Sequence, residues 1–358
     1  MTAGSVPASA LQADLVCEGG GVKGIGLTGA AVRLHEAGYT FPRIAGTSAG
    51  AIVGAVLAAL QAAGEPLDRA GDIARSLHYS RFRDSGRIGR LLGPLGFLAD
   101  TVSLLVESGL YEGTYLRDWV RGVLADLGVR TFGDLRENDA GSALPPQRAY
   151  RLVVTASDLS RQRLVRLPWD YRDYGLDPDE VPVADAVRAS ASIPFFFEPV
   201  QLRTPQGSST LVDGALLSNY PLGIFDRDDG RPARWPTLGI RLTSVLGEPR
   251  GGEPVRGPVS LALAIAQTTL EASQAQHVDG TCDVDRSVFV DTSQVSVIDF
   301  DITAAQQEAL YVAGRRAADK FLATWSYEEW RSRCAAGPPA PPGPTSEPAT
   351  SSDDSMPA

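Results

Sequence analysis

Short apolar runs and longer patterns of helical period follow one another from the start of the chain. Residues 14–18 predict a buried strand, and residues 25–37 carry apolar side chains at helical spacing. Residues 42–45 predict a second short strand, and residues 49–63 are apolar nearly all round, which is typical of a helix packed inside a protein. The chain therefore begins with two successive strand, loop and helix units.

The same patterns continue through most of the sequence. They predict strands at residues 151–156, 164–167, 210–212, 237–242 and 287–290, and helices at residues 115–127, 183–190, 259–276 and 304–324. This alternation predicts an α/β fold, a three-layer sandwich with a mostly parallel central sheet. Right-handed crossovers would bring the loops that follow the first two strands together at one edge of that sheet.

The 358 residues are expected to divide into four segments. Residues 1–13 form an N-terminal extension, residues 14–226 a core that carries the motifs described below, and residues 227–334 a part in which strands and a helix resume the α/β pattern and complete the same domain. Residues 335–358 are mainly Ala, Pro, Gly, Ser, Thr, Asp and Glu, too little apolar surface to offset the entropy of ordering. We predict that this last segment is a disordered tail.

Charge and cysteine content narrow the possible partners and compartment. The formal net charge is −10, which argues against a broad nucleic-acid surface. Cys17, Cys282 and Cys334 are odd in number and widely spaced, so the sequence predicts neither a disulfide framework nor a zinc site or other metal site. With no signal-peptide pattern and no apolar run of about 20 residues, we expect a cytoplasmic protein, at most peripheral to a membrane.

The loop after the second strand carries the motif GxSxG, from Gly46 to Gly50 with Ser48 at its centre. Strand, motif and then a long apolar helix is the context of a nucleophile elbow, in which flanking glycines let backbone and substrate approach the serine closely. A serine that only caps the helix is the structural alternative. We interpret Ser48 as a candidate nucleophile for acyl transfer.

The loop after the first strand is rich in glycine, with the sequence Gly19-Gly20-Gly21-Val22-Lys23-Gly24. Successive backbone N–H groups at a helix start can hold an oxyanion. The same residues also fit GxGxxG, a dinucleotide-binding pattern that requires a carboxylate about 20 residues further on. Residues 43–46 contain no carboxylate, so an oxyanion cradle is favoured over a nucleotide-binding turn.

A serine needs a base, and the sequence offers two candidates. A Ser-Asp-His order would use Ser48, Asp213 and His277, yet Ser48 comes too early in the chain for an α/β-hydrolase elbow. The other candidate is Asp213 alone, which ends a predicted strand before Gly214 and Ala215. An aspartate at that position can also merely cap a turn.

Taken together, the glycine loop, GTSAG and Asp-Gly-Ala resemble the patatin-like phospholipases in order, spacing and context. Residues 190–194 (SASIP) and 219–221 (NYP) add to the resemblance, which covers about residues 14–225. It implies a lipid acyl hydrolase that acts on phospholipids or related acyl lipids without a cofactor. Rivals that stay open are a histidine-dependent esterase, a nucleotide-binding module and an inactive scaffold.

Carried onto this sequence, the resemblance implies a role for each motif residue. Ser48 would be the nucleophile and Asp213 the base, and the N–H groups of Gly20, Gly21 and Val22 would hold the oxyanion. Because an ordinary aspartate is a weak base for serine, we also expect the pKa of Asp213 to be raised. Lys23 either adds positive charge or anchors the loop. Residues 88–111 are either a lid or interface-docking element or a buried helical hairpin, and residues 195–197 and 169–171 are candidate linings of an acyl groove.

Overall fold

The computed structural model describes most of the chain between residues 11 and 334. The described residues are 11–82, 113–137, 144–205, 207–227, 231, 233–243, 268, 280–297 and 299–334. The predicted helix at 259–276 (apart from residue 268), the candidate base His277, the candidate lid at 88–111 and the predicted tail at 335–358 lie outside them.

Ten strands occur in the described residues. They are β1 Leu11–Gln12, β2 Asp14–Cys17, β3 Tyr39–Thr40, β4 Ile44–Thr47, β5 Leu152–Asp158, β6 Arg163–Leu167, β7 Val200–Thr204, β8 Gly207–Asp213, β9 Thr237–Thr243 and β10 Ser287–Asp291. Every strand predicted from the apolar runs is present, with ends shifted by a few residues. Three strands were not predicted, namely the two-residue β1 and β3 and the edge strand β7.

The described helices surround these strands. They are α1 Gly24–Glu36, α2 Ala49–Ala62, α3 Arg69–Arg75, α4 Thr114–Asp126, α5 Val183–Ser190, α6 Thr281–Asp285, α7 Ala304–Leu322 and α8 Tyr327–Cys334. The predictions for α1, α2, α4, α5 and α7 are confirmed. α3, α6 and α8 are short and were missed.

Eight of the strands form one central sheet, in the order β10-β9-β2-β4-β5-β8-β7, with β6 paired to β5. The pairs from β10 to β5 are all parallel, whereas β6, β7 and β8 join the sheet in antiparallel pairs. α1 packs against α7 and α2, and the core of the sheet and these helices is apolar. The predicted α/β class with a mostly parallel sheet is confirmed.

Strand β5 brings two distant parts of the chain end to end. Its residues Thr155 and Ala156 pair with Arg166 and Val165 of β6 along one edge. Along the other edge, Thr155 pairs with Thr47, the last residue of β4, and Ala156 pairs with Asp213, the last residue of β8. Since β4 is parallel to β5 and β8 is antiparallel to it, the two strands run toward each other and stop at adjacent positions.

The cysteine prediction is wrong. Cys282, in α6, and Cys334, at the end of α8, form a disulfide bond across a sequence separation of 52 residues, and Cys17 is a buried free thiol. A separation of that size carries no motif, so only the tertiary packing of α8 against α6 reveals the pairing. Because disulfide bonds persist mainly in oxidising compartments, the bond does not favour the expected cytoplasmic location, which stays a prediction.

Candidate active site

Ser48 stands at the sharp turn between β4 and α2. Its backbone has φ 53° and ψ −119°, a left-handed conformation that is rare for a residue with a side chain. The backbone approaches so closely at this turn that a Cβ on Gly46 would lie 2.2 Å from the carbonyl oxygen of Gly50, and a Cβ on Gly50 would lie 2.2 Å from the carbonyl oxygen of Cys17. The glycines of the GxSxG motif are therefore required by close backbone approach.

The Ser48 side chain meets Asp213 directly. Ser48 Oγ donates a hydrogen bond of 2.6 Å to Asp213 Oδ2, and both residues are buried, with 5% and 1% of their surface exposed. The contact follows from the meeting of β4 and β8 on β5, because each side chain extends from the end of its strand. The two candidates that sequence reasoning picked 165 positions apart are thus brought together.

Burial controls the acidity of Asp213. Desolvation raises its pKa to about 7, against the opposing effect of hydrogen bonds from Ser48 and from the backbone N–H of Ala215. The Ala215 N–H donates to Oδ1 at 2.9 Å, so each carboxyl oxygen has one donor. A carboxyl group with a pKa near neutrality can exchange a proton with a hydroxyl far better than an exposed aspartate.

The last residue of α5 and a residue just beyond it hold the two partners in place. The backbone N–H of Ser48 donates to Ser190 Oγ at 2.8 Å, and the backbone N–H of Asp213 donates to the carbonyl oxygen of Ser192 at 2.9 Å. Sequence reasoning placed both serines in the family resemblance but gave them no role. Each is a buried residue that fixes one member of the pair.

Asn219 holds the start of the glycine loop from both sides. The Gly19 N–H donates to the Asn219 carbonyl oxygen, and Asn219 Nδ2 donates to the Gly19 carbonyl oxygen, each at 3.1 Å. A Cβ on Gly19 would lie 3.2 Å from the Cβ of Ser48 and 2.2 Å from Asn219 Oδ1. The loop therefore lies against the nucleophile elbow and leaves no room for a side chain at position 19.

The rest of the loop turns into α1 under a segment from the C-terminal part of the chain. Gly21 has φ +56°, and a Cβ there would lie 2.1 Å from the Val297 carbonyl oxygen. The Val22 N–H donates to that same oxygen at 3.2 Å. Within the described part of the chain, the N–H groups of Gly20 and Gly21 have no such acceptor.

A buried ion pair lies behind the loop. Glu18 is fully buried, its Oε2 accepts from the Leu242 N–H at 2.5 Å, and Arg241 Nε lies 3.4 Å from its Oε1. Burial raises the pKa of Glu18 to about 8, although Arg241, the Leu242 N–H and Asn219 act in the opposite direction. Glu18 was predicted only as the end of a strand.

The other motif residues occupy structural positions. Lys23 is buried, and its backbone N–H donates to the Gly20 carbonyl oxygen. Gly24 begins α1, where a Cβ would lie 3.2 Å from the Cβ of Ala49. Gly214 and Ala215 begin a short 3-10 turn directly after Asp213, and both are buried.

Both histidines in the described ranges bond to backbone close by in sequence. His35 Nδ1 lies 2.9 Å from the Tyr39 carbonyl oxygen, and His78 Nδ1 lies 2.8 Å from that of Ser76. No group of three His, Cys, Asp or Glu side chains that could hold a metal ion occurs among the residues the structure describes.

The two aromatic segments lie in different places. Phe196 and Phe197 pack near Phe300, with ring centroids 6.2 Å and 6.3 Å away, and Phe82 joins the cluster. Residue 195 also has positive φ, 68°. Trp169 and Tyr171 are buried against Phe225 and Phe132, which places them in the core of the protein.

Comparison with known families identifies the class of this protein. Residues 15–226 match the family model described as patatin-like phospholipase, which is more than half of the chain. The chain belongs to the patatin-like phospholipase family, and that membership makes it a lipid hydrolase in general terms.

Its curated relatives carry no assigned activity. The chain is 36% identical over 320 residues to the uncharacterized protein YqhO of Bacillus subtilis, covering 88% of this chain and 99% of that protein. It is 25% identical over 330 residues to an uncharacterized NTE family protein of Mycobacterium tuberculosis, covering 86% of this chain but only 46% of that protein.

Two bacterial proteins of known structure show a weaker likeness. VipD from Legionella pneumophila aligns with a TM-score of 0.45 at 17% identity, covering 88% of this chain and 67% of that chain. ExoU of Pseudomonas aeruginosa, in its complex with SpcU, aligns with a TM-score of 0.42 at 20% identity, covering 88% of this chain and 51% of that chain.

In the described residues, no helix is both long enough and apolar enough to cross a membrane.

Proposed function

We propose that the protein is a serine lipid acyl hydrolase in which Ser48 is the nucleophile and Asp213 the base. The observation that carries the proposal is the 2.6 Å hydrogen bond from Ser48 Oγ to Asp213 Oδ2 in a buried setting. Ser48 stands on a strained turn after β4, which is the geometry of a nucleophile elbow. The raised pKa of Asp213 supports its role as the proton acceptor.

The reaction proceeds in two halves. Ser48 Oγ attacks the ester carbonyl carbon while its proton passes to Asp213 Oδ2, and the tetrahedral intermediate expels the alcohol, which takes the proton back from Asp213. Asp213 then accepts a proton from water as the water attacks the acyl-enzyme. Collapse of the second intermediate releases the fatty acid and returns the proton to Ser48.

The glycine loop serves as the oxyanion cradle in this scheme. The N–H groups of Gly20 and Gly21 are the donors, since no acceptor in the described residues occupies them. Val22, the third donor expected from the sequence, would first have to exchange its bond to the Val297 carbonyl oxygen for one to the oxyanion. In comparable sites the loss of one such donor costs about 3 to 4 kcal/mol of transition-state stabilisation.

The substrates would be phospholipids or related acyl lipids, met by transient contact with a membrane surface.

Residues 14–226 supply Ser48, Asp213 and the N–H groups of the glycine loop. Residues 227–334 complete the same domain, because β9 pairs with β2 in the central sheet and Val297 contacts the glycine loop.

The test compares the wild-type protein with Ser48→Ala on phospholipid vesicles and on short-chain esters. Fatty acid release is measured directly, and labelling by a fluorophosphonate probe is measured in parallel. We expect the wild type to release fatty acid and take up the probe, and Ser48→Ala to do neither. Ser332→Ala, in the exposed helix α8, is the matched control and should behave as the wild type.

Two further variants distinguish the base. Asp213→Asn should abolish turnover, whereas His277→Ala should leave it intact. Loss of activity in His277→Ala would favour the histidine-dependent esterase, and the absence of fatty acid release from every substrate would overturn the proposal.

A further inference from the structure

The chain leaves the central sheet at Glu18, between β2 and the glycine loop. The paired residues of β2 and β9 end at Cys17 and Ile240, and the Glu18 N–H adds one more bond, to the Ile240 carbonyl oxygen at 3.1 Å. In a regular parallel ladder, the next bond would run from the Leu242 N–H to the backbone carbonyl oxygen of Glu18. Here the Leu242 N–H donates to Glu18 Oε2 at 2.5 Å. The Glu18 side chain thus takes the place of its own backbone carbonyl on β9.

The backbone carbonyl of Glu18 turns toward the nucleophile elbow instead. A Cβ on Gly50, in the first turn of α2, would lie 2.6 Å from the Glu18 carbonyl oxygen. Gly50 is the last residue of the GxSxG motif, two positions after Ser48. With this exchange of acceptors, the chain turns out of the sheet and into the glycine loop beside the elbow.

Leu242 connects the Glu18 carboxyl group to the glycine loop. Its side chain packs against Gly20, where a Cβ would lie only 2.2 Å from Leu242 Cδ1. The Gly20 N–H is one of the two proposed oxyanion donors. The hydrogen bond that holds the Leu242 backbone therefore also fixes the surface on which this donor rests.

The carboxyl group of Glu18 is buried and largely neutral. None of the residue is exposed, and burial raises its pKa to about 8 although Arg241 Nε lies 3.4 Å from Oε1. Most molecules therefore carry a protonated Glu18 at pH ~7. The bond to Leu242 requires an acceptor oxygen at the right reach and does not require a negative charge.

We propose that Glu18 is a positioning residue for the oxyanion cradle, and that its carboxyl oxygen acts through Leu242 to set the place of the Gly20 N–H. The inference rests on the proposed function and adds a residue that acts through the loop. The alternative is that Glu18 only ties β2 to β9 by its charge beside Arg241.

Three substitutions at position 18 separate reach from charge. Glu18→Gln is neutral and keeps an oxygen at the same reach, so kcat on a short-chain ester at pH ~7 should stay within about threefold of the wild type. Glu18→Asp keeps the acid but is one methylene shorter, and Glu18→Ala removes the acceptor. For these two we expect kcat to fall about ten- to a hundredfold with little change in KM, because a displaced donor affects the transition state most.

An alkyl trifluoromethyl ketone reports on the oxyanion directly. Ser48 Oγ bonds to the ketone carbon, its proton passes to Asp213, and the ketone oxygen becomes the oxyanion. The inhibition constant should rise in Glu18→Asp and Glu18→Ala in proportion to their loss of kcat/KM, and it should stay near the wild-type value in Glu18→Gln. A residue that only supports the fold would not produce this proportion.

Asp14, at the opposite end of β2, is the matched control. It is also a buried acid beside an arginine, since its Oδ1 accepts from Arg43 Nε at 2.8 Å, but it begins the strand and does not adjoin the glycine loop. Asp14→Ala should lower the melting temperature and leave kcat and the inhibition constant within about twofold of the wild type. If Glu18→Ala fails to fold, the comparison of Glu18→Gln with Glu18→Asp decides.

Two kinetic results would overturn the inference. An unchanged kcat in Glu18→Asp and Glu18→Ala would mean that Glu18 only supports the fold. Equal losses of kcat in Glu18→Gln and Glu18→Ala would mean that the charge matters and the acceptor does not.

Hydrogen exchange separates this inference from the proposed function. Exchange of the backbone N–H groups of residues 19–24 is followed by mass spectrometry in the Ser48→Ala protein, alone and combined with Glu18→Ala or with Asp14→Ala. Faster exchange with Glu18→Ala only supports the placement of the loop by Glu18, even if the wild type hydrolyses no ester and the proposed function fails. Unchanged exchange with Glu18→Ala overturns the inference.

Discussion

Ser48 Oγ donates directly to Asp213 Oδ2 at 2.6 Å, with no third group between the two side chains. The hydrogen bond is buried, and the opposite oxygen of the carboxyl group accepts from a backbone N–H. The end of β4 holds Ser48, the end of β8 holds Asp213, and the Ala215 N–H fixes the carboxyl group. Its chemistry depends on the protonation of a single carboxyl group.

The first prediction concerns the pH dependence of turnover. Burial raises the pKa of Asp213 to about 7, and only the ionised carboxylate can accept the Ser48 proton. We expect kcat/KM to fall about tenfold per pH unit below pH ~7 and to level off above pH ~8. A profile measured on a short-chain ester that stays flat down to pH ~5 would contradict the role of Asp213.

The second prediction is that Asp213→Asn stabilises the fold while abolishing turnover. The carboxyl pKa is about 7 in the folded protein and about 3.9 when unfolded, so the folded state holds a proton that the unfolded state releases between these values. That proton's contribution to stability is complete below pH ~4 and is lost as the pH rises through 7. Asparagine stays neutral, so the variant should gain up to about 4 kcal/mol over the wild type at pH ~8.

Urea unfolding at several pH values measures this gain. Asp158→Asn is the control, because the buried Asp158 carboxylate accepts from the backbone N–H groups of Ser160 and Arg161 and from the Tyr174 hydroxyl. That variant should be less stable than the wild type and should keep its activity. An Asp213→Asn protein no more stable at pH ~8 than the wild type would show that the buried carboxyl is not strained in this way.

The third prediction concerns Asn219 as a positioning residue for the glycine loop. Asn219→Ala removes the Nδ2 donor to the Gly19 carbonyl oxygen, and the loop that carries the oxyanion donors loses one of its two anchors. We expect kcat to fall about ten- to a hundredfold with little change in KM, because misplaced donors affect the transition state most.

Asn219→Asp tests the same contact with a side chain of equal size. It places an acceptor against the Gly19 carbonyl oxygen, so its loss of kcat should be at least as large. Steady-state kinetics and thermal unfolding are measured on both variants. A lower melting temperature with an unchanged kcat would mean that Asn219 only supports the fold.

The fourth prediction concerns the thiols. With Cys282 bonded to Cys334 and Cys17 buried, the native protein should expose no thiol to Ellman's reagent. Burial also raises the pKa of Cys17 to about 12. After unfolding, one thiol should react without reductant and three with it. Two or more reactive thiols without reductant would mean that the bond does not form.

Reduction should also weaken the fold. Closing a loop of about 52 residues lowers the entropy of the unfolded chain enough to stabilise the folded state by about 4 kcal/mol in the chain-entropy account. Cys334→Ser should lose stability to a similar extent, whereas Cys17→Ser tests the effect of one buried thiol without a bridge. Equal stability of Cys334→Ser and wild type would contradict this account.

Much of the fold could be predicted from local patterns. α5 occupies the predicted residues 183–190, and the GxSxG motif lies at the predicted strand-to-helix turn. These predictions succeed because apolar spacing and glycine content are set within one element. β7 was missed because it is a five-residue strand at the edge of the sheet in which no side chain is fully buried, so no apolar run marks it.

The contacts that complete the site could not be predicted, since they join residues far apart in sequence. Nothing in the sequence shows that the Val297 carbonyl oxygen accepts the Val22 N–H, or that Ser190 Oγ accepts the Ser48 N–H. The aspartate was found at a strand end, but its distance from Ser48 depends on the register of β5 with two other strands.

That register makes the site tolerant of some changes in chain length and intolerant of others. β4, which precedes Ser48, stops opposite Thr155, and β8, which ends at Asp213, stops opposite Ala156. One residue inserted in β5 between Thr155 and Ala156 would shift one of these strand ends by about 3.3 Å and reverse the alternation of its side chains. Insertions in the connections between α2 and β5 or between β6 and α5 leave this register untouched, and they spare the serines at the end of α5 that hold the pair. Length variation among related chains should therefore concentrate in those connections, while the three strands keep their residue count.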